Sequence, residues 1–227
     1  HRIVPCPDCK LQPDVLNEIG NTLCNFFAAH NIQPYDEQTG KGLVRHVFLR
    51  RGVHSGQIMV CLVLNAPNKK KMGINEGKFT ALVDNLTKID GMTSICLNFN
   101  PENTNVILGK KTSTLWGEDA IEDTIGGIRY RISPQSFYQV NPVQTELLYE
   151  KAIHEAHLTG KERIIDAYCG TGTIGIIAAK NAGEVIGVEL NRDAIRDAVT
   201  NAKRNDIRNI RFYNDDAGKF MVEMAQK

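Results

Sequence analysis

The chain has 227 residues, with 27 Lys and Arg against 26 Asp and Glu, a formal net charge of +1. Hydrophobic residues at 42% and charged residues at 23% suit a folded globular chain and exclude a disordered or fibrous one. The charge balance excludes a bulk polycation, so any nucleic-acid contact must come from a local patch.

The first half predicts mixed helices and antiparallel strands. Pro13 to His30 carries Leu16, Ile19, Leu23 and Phe26 or Phe27 at helical spacing. Leu43 to Arg51 and Gln57 to Leu64 read as strands joined by a glycine-bearing hairpin, Gly52 to Gly56. Asn75 to Ile89 is amphipathic. Thr93 to Phe99 and Val106 to Leu108 read as further strands, and Asp119 to Ser133 as a pair turning at Gly126-Gly127. This pattern predicts an α+β central domain over residues 1–140.

The second half, 141–227, changes rhythm. Asn141 and Pro142 open a helix to about His157, with Val143, Leu147, Ala152 and Ala156 as its apolar face. Arg163 to Tyr168 reads as a buried strand, Cys169 to Thr173 as a glycine loop, and Thr173 to Ala182 as a helix. A second strand, Glu184 to Glu189, a helix from Asn191 to Arg204, a third strand, Ile210 to Tyr213, and a last helix follow. Alternating strands and helices predict a parallel, doubly wound α/β sheet of Rossmann-like type, of which this stretch supplies one half. Ile164 and Ile165 are then expected at an edge, in a strand whose composition suits a sheet centre.

No secretory leader is recognisable, and the longest apolar run, Ile58 to Leu64, is too short to span a bilayer. A cytoplasmic location is expected. Of six cysteines, Cys24, Cys61 and Cys96 sit in apolar stretches and are expected in the core. Cys6 and Cys9 form a C-x-x-C, two thiolates where a closed zinc site needs four ligands.

Gly170-Thr-Gly172-Thr-Ile-Gly175 satisfies G-x-G-x-x-G after a strand and before a helix, with Glu189 ending the next strand. The glycines let backbone approach a ligand, and Glu189 can accept from both ribose hydroxyls of an adenosine cofactor. Asp166 discriminates between cofactors. A carboxylate beside the loop repels a pyrophosphate and favours the cationic sulfonium and ammonium groups of S-adenosylmethionine. Asp216, after the third strand, either reaches an adenine amino group or caps the following helix.

Ser136-Phe-Tyr-Gln-Val-Asn141, together with Asp166-Ala-Tyr-Cys-Gly-Thr-Gly172, resembles the RNA uracil-C5 methyltransferase family, which makes 5-methyluridine in ribosomal and transfer RNA. Tyr35-Asp-Glu37, Gly42-Leu-Val-Arg-His46 and Arg50 extend the resemblance upstream, and the ribosomal (23S) branch is the nearer. The resemblance implies that Gln139, Tyr168 and Glu189 hold S-adenosylmethionine. It also implies a mechanism in which a cysteine thiolate adds to uracil C6, C5 takes the methyl group, and a carboxylate removes the C5 proton. The family's D-P-P-R motif, nucleophilic cysteine and glutamate base are not found in these residues. Cys169 occupies a cofactor-loop position, so the chain is expected to be a fragment inactive by itself. Some relatives bind a [4Fe–4S] cluster, and Cys9 matches their fourth ligand. Arg45 and Arg50 match positions that could contact RNA, and Lys69 to Lys71 offer further cations.

An NAD-dependent oxidoreductase and a non-catalytic RNA-binding module are the alternatives. The first must explain Asp166, and the second the glycine loop.

Overall fold

The computed structural model describes residues 4–73, 76–139 and 141–226. Asn75 and Val140, which the sequence reading places in a helix and in the S-F-Y-Q-V-N segment, lie outside them.

Packing divides the chain into two compact units: residues 1–51 with 58–119, and residues 52–57 with 120–227. The expected divide at 140 therefore falls some way past the observed one. The reason is local. The hairpin of β5 (Ile121–Ile125) and β6 (Ile128–Ile132) bonds to a helix of the second unit, α5 (Arg192–Arg204). Asn205 Oδ1 accepts from the Arg129 amide at 3.0 Å, and Asn201 Oδ1 from the Arg131 amide at 2.8 Å. Asp123 on β5 takes the amides of Val53, His54 and Ser55 at 2.9, 3.0 and 3.1 Å, which draws the turn 52–57 into the same unit.

In the first unit a four-stranded sheet has the order β1 (Val44–Arg51), β2 (Ile58–Leu64), β3 (Met92–Phe99), β4 (Lys111–Gly117). β1–β2 and β3–β4 are antiparallel and β2–β3 parallel, the crossover carrying α2 (Glu76–Leu86). α1 (Asp14–Ala29) places Leu16, Ile19, Leu23 and Phe26 in a core with Leu82, Leu86, Val60 and Leu62. Each such side chain contributes about 1.5–3 kcal/mol when fully buried.

Two expectations are corrected here. Val106 to Leu108 is not a strand. Asn100 Nδ2 donates to the carbonyls of Val106 (2.8 Å) and Ile107 (3.1 Å), and Asn98 Nδ2 to that of Gly109 (2.9 Å), which folds the segment into a loop before β4. Cys24 is exposed on α1, because the buried stripe of that helix runs through Leu16, Ile19, Leu23 and Phe26. Cys61 and Cys96 are buried as expected, facing one another across β2 and β3.

In the second unit three parallel strands, β7 (Arg163–Ala167), β8 (Glu184–Glu189) and β9 (Ile210–Asn214), lie in that order. Alternate residues of β8 face opposite layers. Val185 packs with Ala179 and Ala182 at the end of α4 (Thr173–Ala178), and Ile186 and Val188 pack with Ala217 and Phe220 of α6 (Ala217–Ala225). β7 is an edge, as the strand order led us to expect, and Ile165 on it is 38% exposed although the strand's composition suits a sheet centre. It is thus not the buried strand its apolar run suggests.

α3 (Pro142–Glu155) starts on the expected cap: Asn141 Oδ1 accepts from the Gln144 amide at 3.2 Å. Its expected apolar face is not buried. Val143 and Leu147 are exposed, and Pro142 and Thr145 are the inward residues, because the helix docks through its first turn and its Thr145 side. No helix among the described residues is long and apolar enough to cross a membrane.

Candidate cofactor site

The glycine loop forms where β7 ends. The Cys169 amide donates to the Val188 carbonyl (3.0 Å), and the Gly172 amide to the Cys169 carbonyl (2.8 Å), closing a turn. Gly172 sits at φ +79°, and a Cβ there would lie 3.0 Å from the Phe212 ring, so both backbone and space favour glycine. Tyr168 adopts φ +62°, a left-handed conformation uncommon for a bulky residue, and it is 73% exposed. Its side chain is therefore not packed in the core. Local strain of this kind concentrates at ligand sites.

A cavity of ≈ 120 Å³ opens above this loop. Gln139, Asp166, Tyr168 and Gly170 line it, joined by Phe137 and Tyr149. Four of the residues singled out in the sequence thus converge. Gly172 shapes the turn without lining the cavity. Glu189 is not among the lining residues, yet it sets the rim: its Oε2 accepts from the Gly170 amide at 3.1 Å and its Oε1 from the Asn191 amide at 2.7 Å. Asp216 stands apart and caps α6, its Oδ1 accepting from the Lys219 amide at 2.9 Å.

The electrostatics centre on Asp166. Burial pushes its carboxyl up to about 6, opposed only in part by the Gly175 amide, which donates to Oδ2 at 2.9 Å. A half-buried carboxylate with one such partner keeps lone pairs for a cationic or donor ligand. Burial, then the carboxylates of Asp166 and Glu189, push the Cys169 thiol up to about 12. It stays protonated near neutrality and is a poor nucleophile. Burial also raises the Tyr149 hydroxyl, while a hydrogen bond with Gln139 works the other way.

Sequence reasoning missed what holds the S-F-Y-Q segment. Asp197 of α5, a buried carboxylate, accepts from Ser133 Oγ at 2.9 Å and from Ser136 Oγ through Oδ2, and from Arg131 at 3.1 Å through Oδ1. The one available signal was the spacing of Asp197, Asn201 and Asn205, polar residues four apart on one helix face.

The remaining sequence candidates lie in the first unit. Arg45 donates to the carbonyls of Asn100 (2.9 Å), Glu102 (2.5 Å) and Thr104 (3.0 Å) and stacks 4.5 Å over Tyr35. Its guanidinium braces the 100–104 loop. Arg50 lies 4.8 Å over the Phe48 ring, and burial draws its guanidinium down to about 10. Cys6 is exposed and Cys9 half-buried. No group of three or more His, Cys, Asp or Glu suited to a metal gathers among the described residues. A [4Fe–4S] cluster needs four ligands, so the residues present do not by themselves fit one.

Residues 158–227 match the family model of a methyltransferase domain, and the second unit has that fold. The chain is 46% identical over 212 residues to an uncharacterized RNA methyltransferase of Listeria monocytogenes, an alignment covering 93% of this chain and 45% of that protein. To a Clostridium acetobutylicum protein of the same description it is 44% identical over 215 residues, with the same coverage. Among solved structures it resembles Pyrococcus abyssi tRNA (uracil-54, C5)-methyltransferase in complex with S-adenosyl-L-homocysteine. The TM-score is 0.75 at 26% identity, over 93% of this chain and 49% of that one. The chain spans about half the length of the relatives it matches.

Proposed function

We propose that this chain is the cofactor-binding part of an S-adenosylmethionine-dependent RNA methyltransferase, and that the parent protein methylates uracil C5, with ribosomal RNA as the nearer substrate. The observation that carries the reading is Asp166, a half-buried carboxyl with one amide partner, lining the glycine-loop cavity with Tyr168 and Gln139. A carboxylate there favours a cationic ammonium or sulfonium and disfavours a diphosphate.

The donor set suits the cofactor. Asp166 attracts the cationic end, Gln139 offers an amide to the amino-acid portion, and Tyr168 presents an exposed aromatic face at the mouth. Gly170 leaves backbone accessible, and Glu189 fixes the Gly170 amide. S-Adenosylmethionine supplies the methyl group. The names of the relatives and the bound ligand of the archaeal neighbour support the same class.

The thiolate and general base of uracil-C5 chemistry are not assigned to these residues. Cys169 is held protonated beside two carboxylates, and Cys61 and Cys96 are buried in the first unit. The parent's remaining chain is proposed to supply both groups, leaving this polypeptide without turnover of its own. A cluster at Cys9, if the parent has one, would need partners from that remainder.

Isothermal titration with S-adenosylhomocysteine tests the cofactor claim. Saturable 1:1 binding, with no response to NADH, is expected. Binding of NADH and none of S-adenosylhomocysteine would replace the reading with an oxidoreductase one.

A further inference from the structure

The face of α5 that carries Asp197, Asn201 and Asn205 is polar yet turned inward: Asp197 and Asn201 are buried. Buried polar side chains are costly unless satisfied, and these are satisfied by the two segments that border the cavity. Asp197 takes both hydroxyls of the Ser133–Ser136 turn, in which the Ser133 amide also donates to Ser136 Oγ at 2.9 Å. Arg131 is held twice, its side chain by Asp197 and its amide by Asn201 Oδ1. Asn201 then reaches the other border: its Nδ2 donates to the Thr171 carbonyl, within the glycine loop, at 3.3 Å. Asn205 continues the stripe, donating to the Arg129 carbonyl at 2.7 Å.

One helix face therefore grips the strand and turn leading into Phe137-Tyr138-Gln139 and, one helical turn further along, the loop of Gly170 and Gly172. Phe137 is 70% exposed and Gln139 is also exposed, so neither is fixed by burial of its own. Ser136, next to Phe137 and three residues before Gln139, is the last buried anchor before them.

We infer that Asp197 and Ser136 are positioning residues for the cofactor: they hold Gln139 at the glycine loop and contribute to affinity only through it. This rests on the cofactor reading above. Nothing in the inference requires Asp197 or Ser136 to touch the ligand, and neither lines the cavity.

A double-mutant cycle on the whole chain tests it, with S-adenosylhomocysteine as the probe and calorimetry as the readout. Ser136→Ala and Gln139→Ala are each expected to weaken binding about tenfold, equivalent to about 1.4 kcal/mol. The double variant is expected to bind no worse than Gln139→Ala alone. A merely structural role for Ser136 would make the two losses multiply to about a hundredfold, and that result, or unchanged affinity in Ser136→Ala, overturns the inference. Ser133→Ala removes one of the two hydroxyls on Asp197 and keeps the test open if Ser136→Ala does not fold; its loss should likewise vanish in the Gln139→Ala background. Failure of the unsubstituted chain to bind the probe would sink the cofactor reading and this inference together. Binding with additive losses would sink this inference alone.

Discussion

The Gly170 amide points at the Glu189 carboxylate, 3.1 Å from Oε2, so a strand-ending acid organises the glycine loop even without a ligand. Its other oxygen holds the Asn191 amide, at the N-cap of α5. Glu189→Gln keeps the shape but offers one carbonyl oxygen where two amides need acceptors. An unmet partner of this kind costs about 1–3 kcal/mol. Urea denaturation should show a loss in that range, and calorimetry a loss of S-adenosylhomocysteine affinity of at least tenfold. A fully stable, tightly binding variant would refute the arrangement.

Asp166 gives a pH dependence of defined sign. Its folded-state carboxyl titrates near 6, above the ordinary 3.8, so the ionised form costs stability above about pH 6, and the cost disappears as the pH falls below the unfolded value. Asp166→Asn should therefore raise neutral-pH stability by an amount on the order of 1–3 kcal/mol, with the advantage over the unsubstituted chain shrinking toward pH 4. Thermal melts of both proteins across that range measure it.

Ligand binding carries the opposite demand. The ammonium group of the ligand's amino-acid end needs Asp166 ionised, so the affinity for S-adenosylhomocysteine should fall as the pH drops through about 6, and Asp166→Asn should bind weakly at every pH without that transition. A stabilised variant that cannot bind is the signature of a site residue held at the expense of stability.

The thiols should separate sharply under brief alkylation at pH 8, read by peptide mass spectrometry. Cys6 and Cys24 are exposed and should label; Cys61, Cys96 and Cys169 are buried and should not. The cavity-lining thiol of Cys169 is pushed up to about 12, which reinforces its inertness. Rapid labelling of Cys169 would reopen the question of a nucleophile in the loop.

Arg45 is expected to matter through the fold of the first unit. Arg45→Lys gathers its donors on one compact ammonium that does not reproduce the planar guanidinium spread across three carbonyls, and a loss of about 1–3 kcal/mol is expected. Faster amide exchange across residues 100–109 is the check. Unchanged exchange would return Arg45 to the list of RNA-facing side chains.

What the sequence made legible was local. Asn141 before Pro142, the Gly126-Gly127 turn and the strand–glycine loop–helix order are all short-range signals, and each appears where expected. The convergence of Gln139 and Asp166 came from motifs, since no periodicity places residues that far apart side by side. The rest depended on partners distant in sequence. Ser136 and Asp197 are 61 positions apart, and the four-residue spacing of Asp197, Asn201 and Asn205 does not by itself say that this face turns inward on a helix whose overall composition is polar. The apolar residues of α3 illustrate the converse limit: Val143 and Leu147 have helical spacing but remain exposed, because periodicity identifies a face without saying what covers it.

The most direct test of the central claim is an amide NMR titration of the labelled chain with S-adenosylhomocysteine, run beside one with NAD. The account predicts saturating shifts at Gln139, Tyr168 and Gly170 with the first ligand and none with the second. Shifts at those amides with NAD alone, or with S-adenosylhomocysteine only at residues remote from the glycine loop, would contradict it.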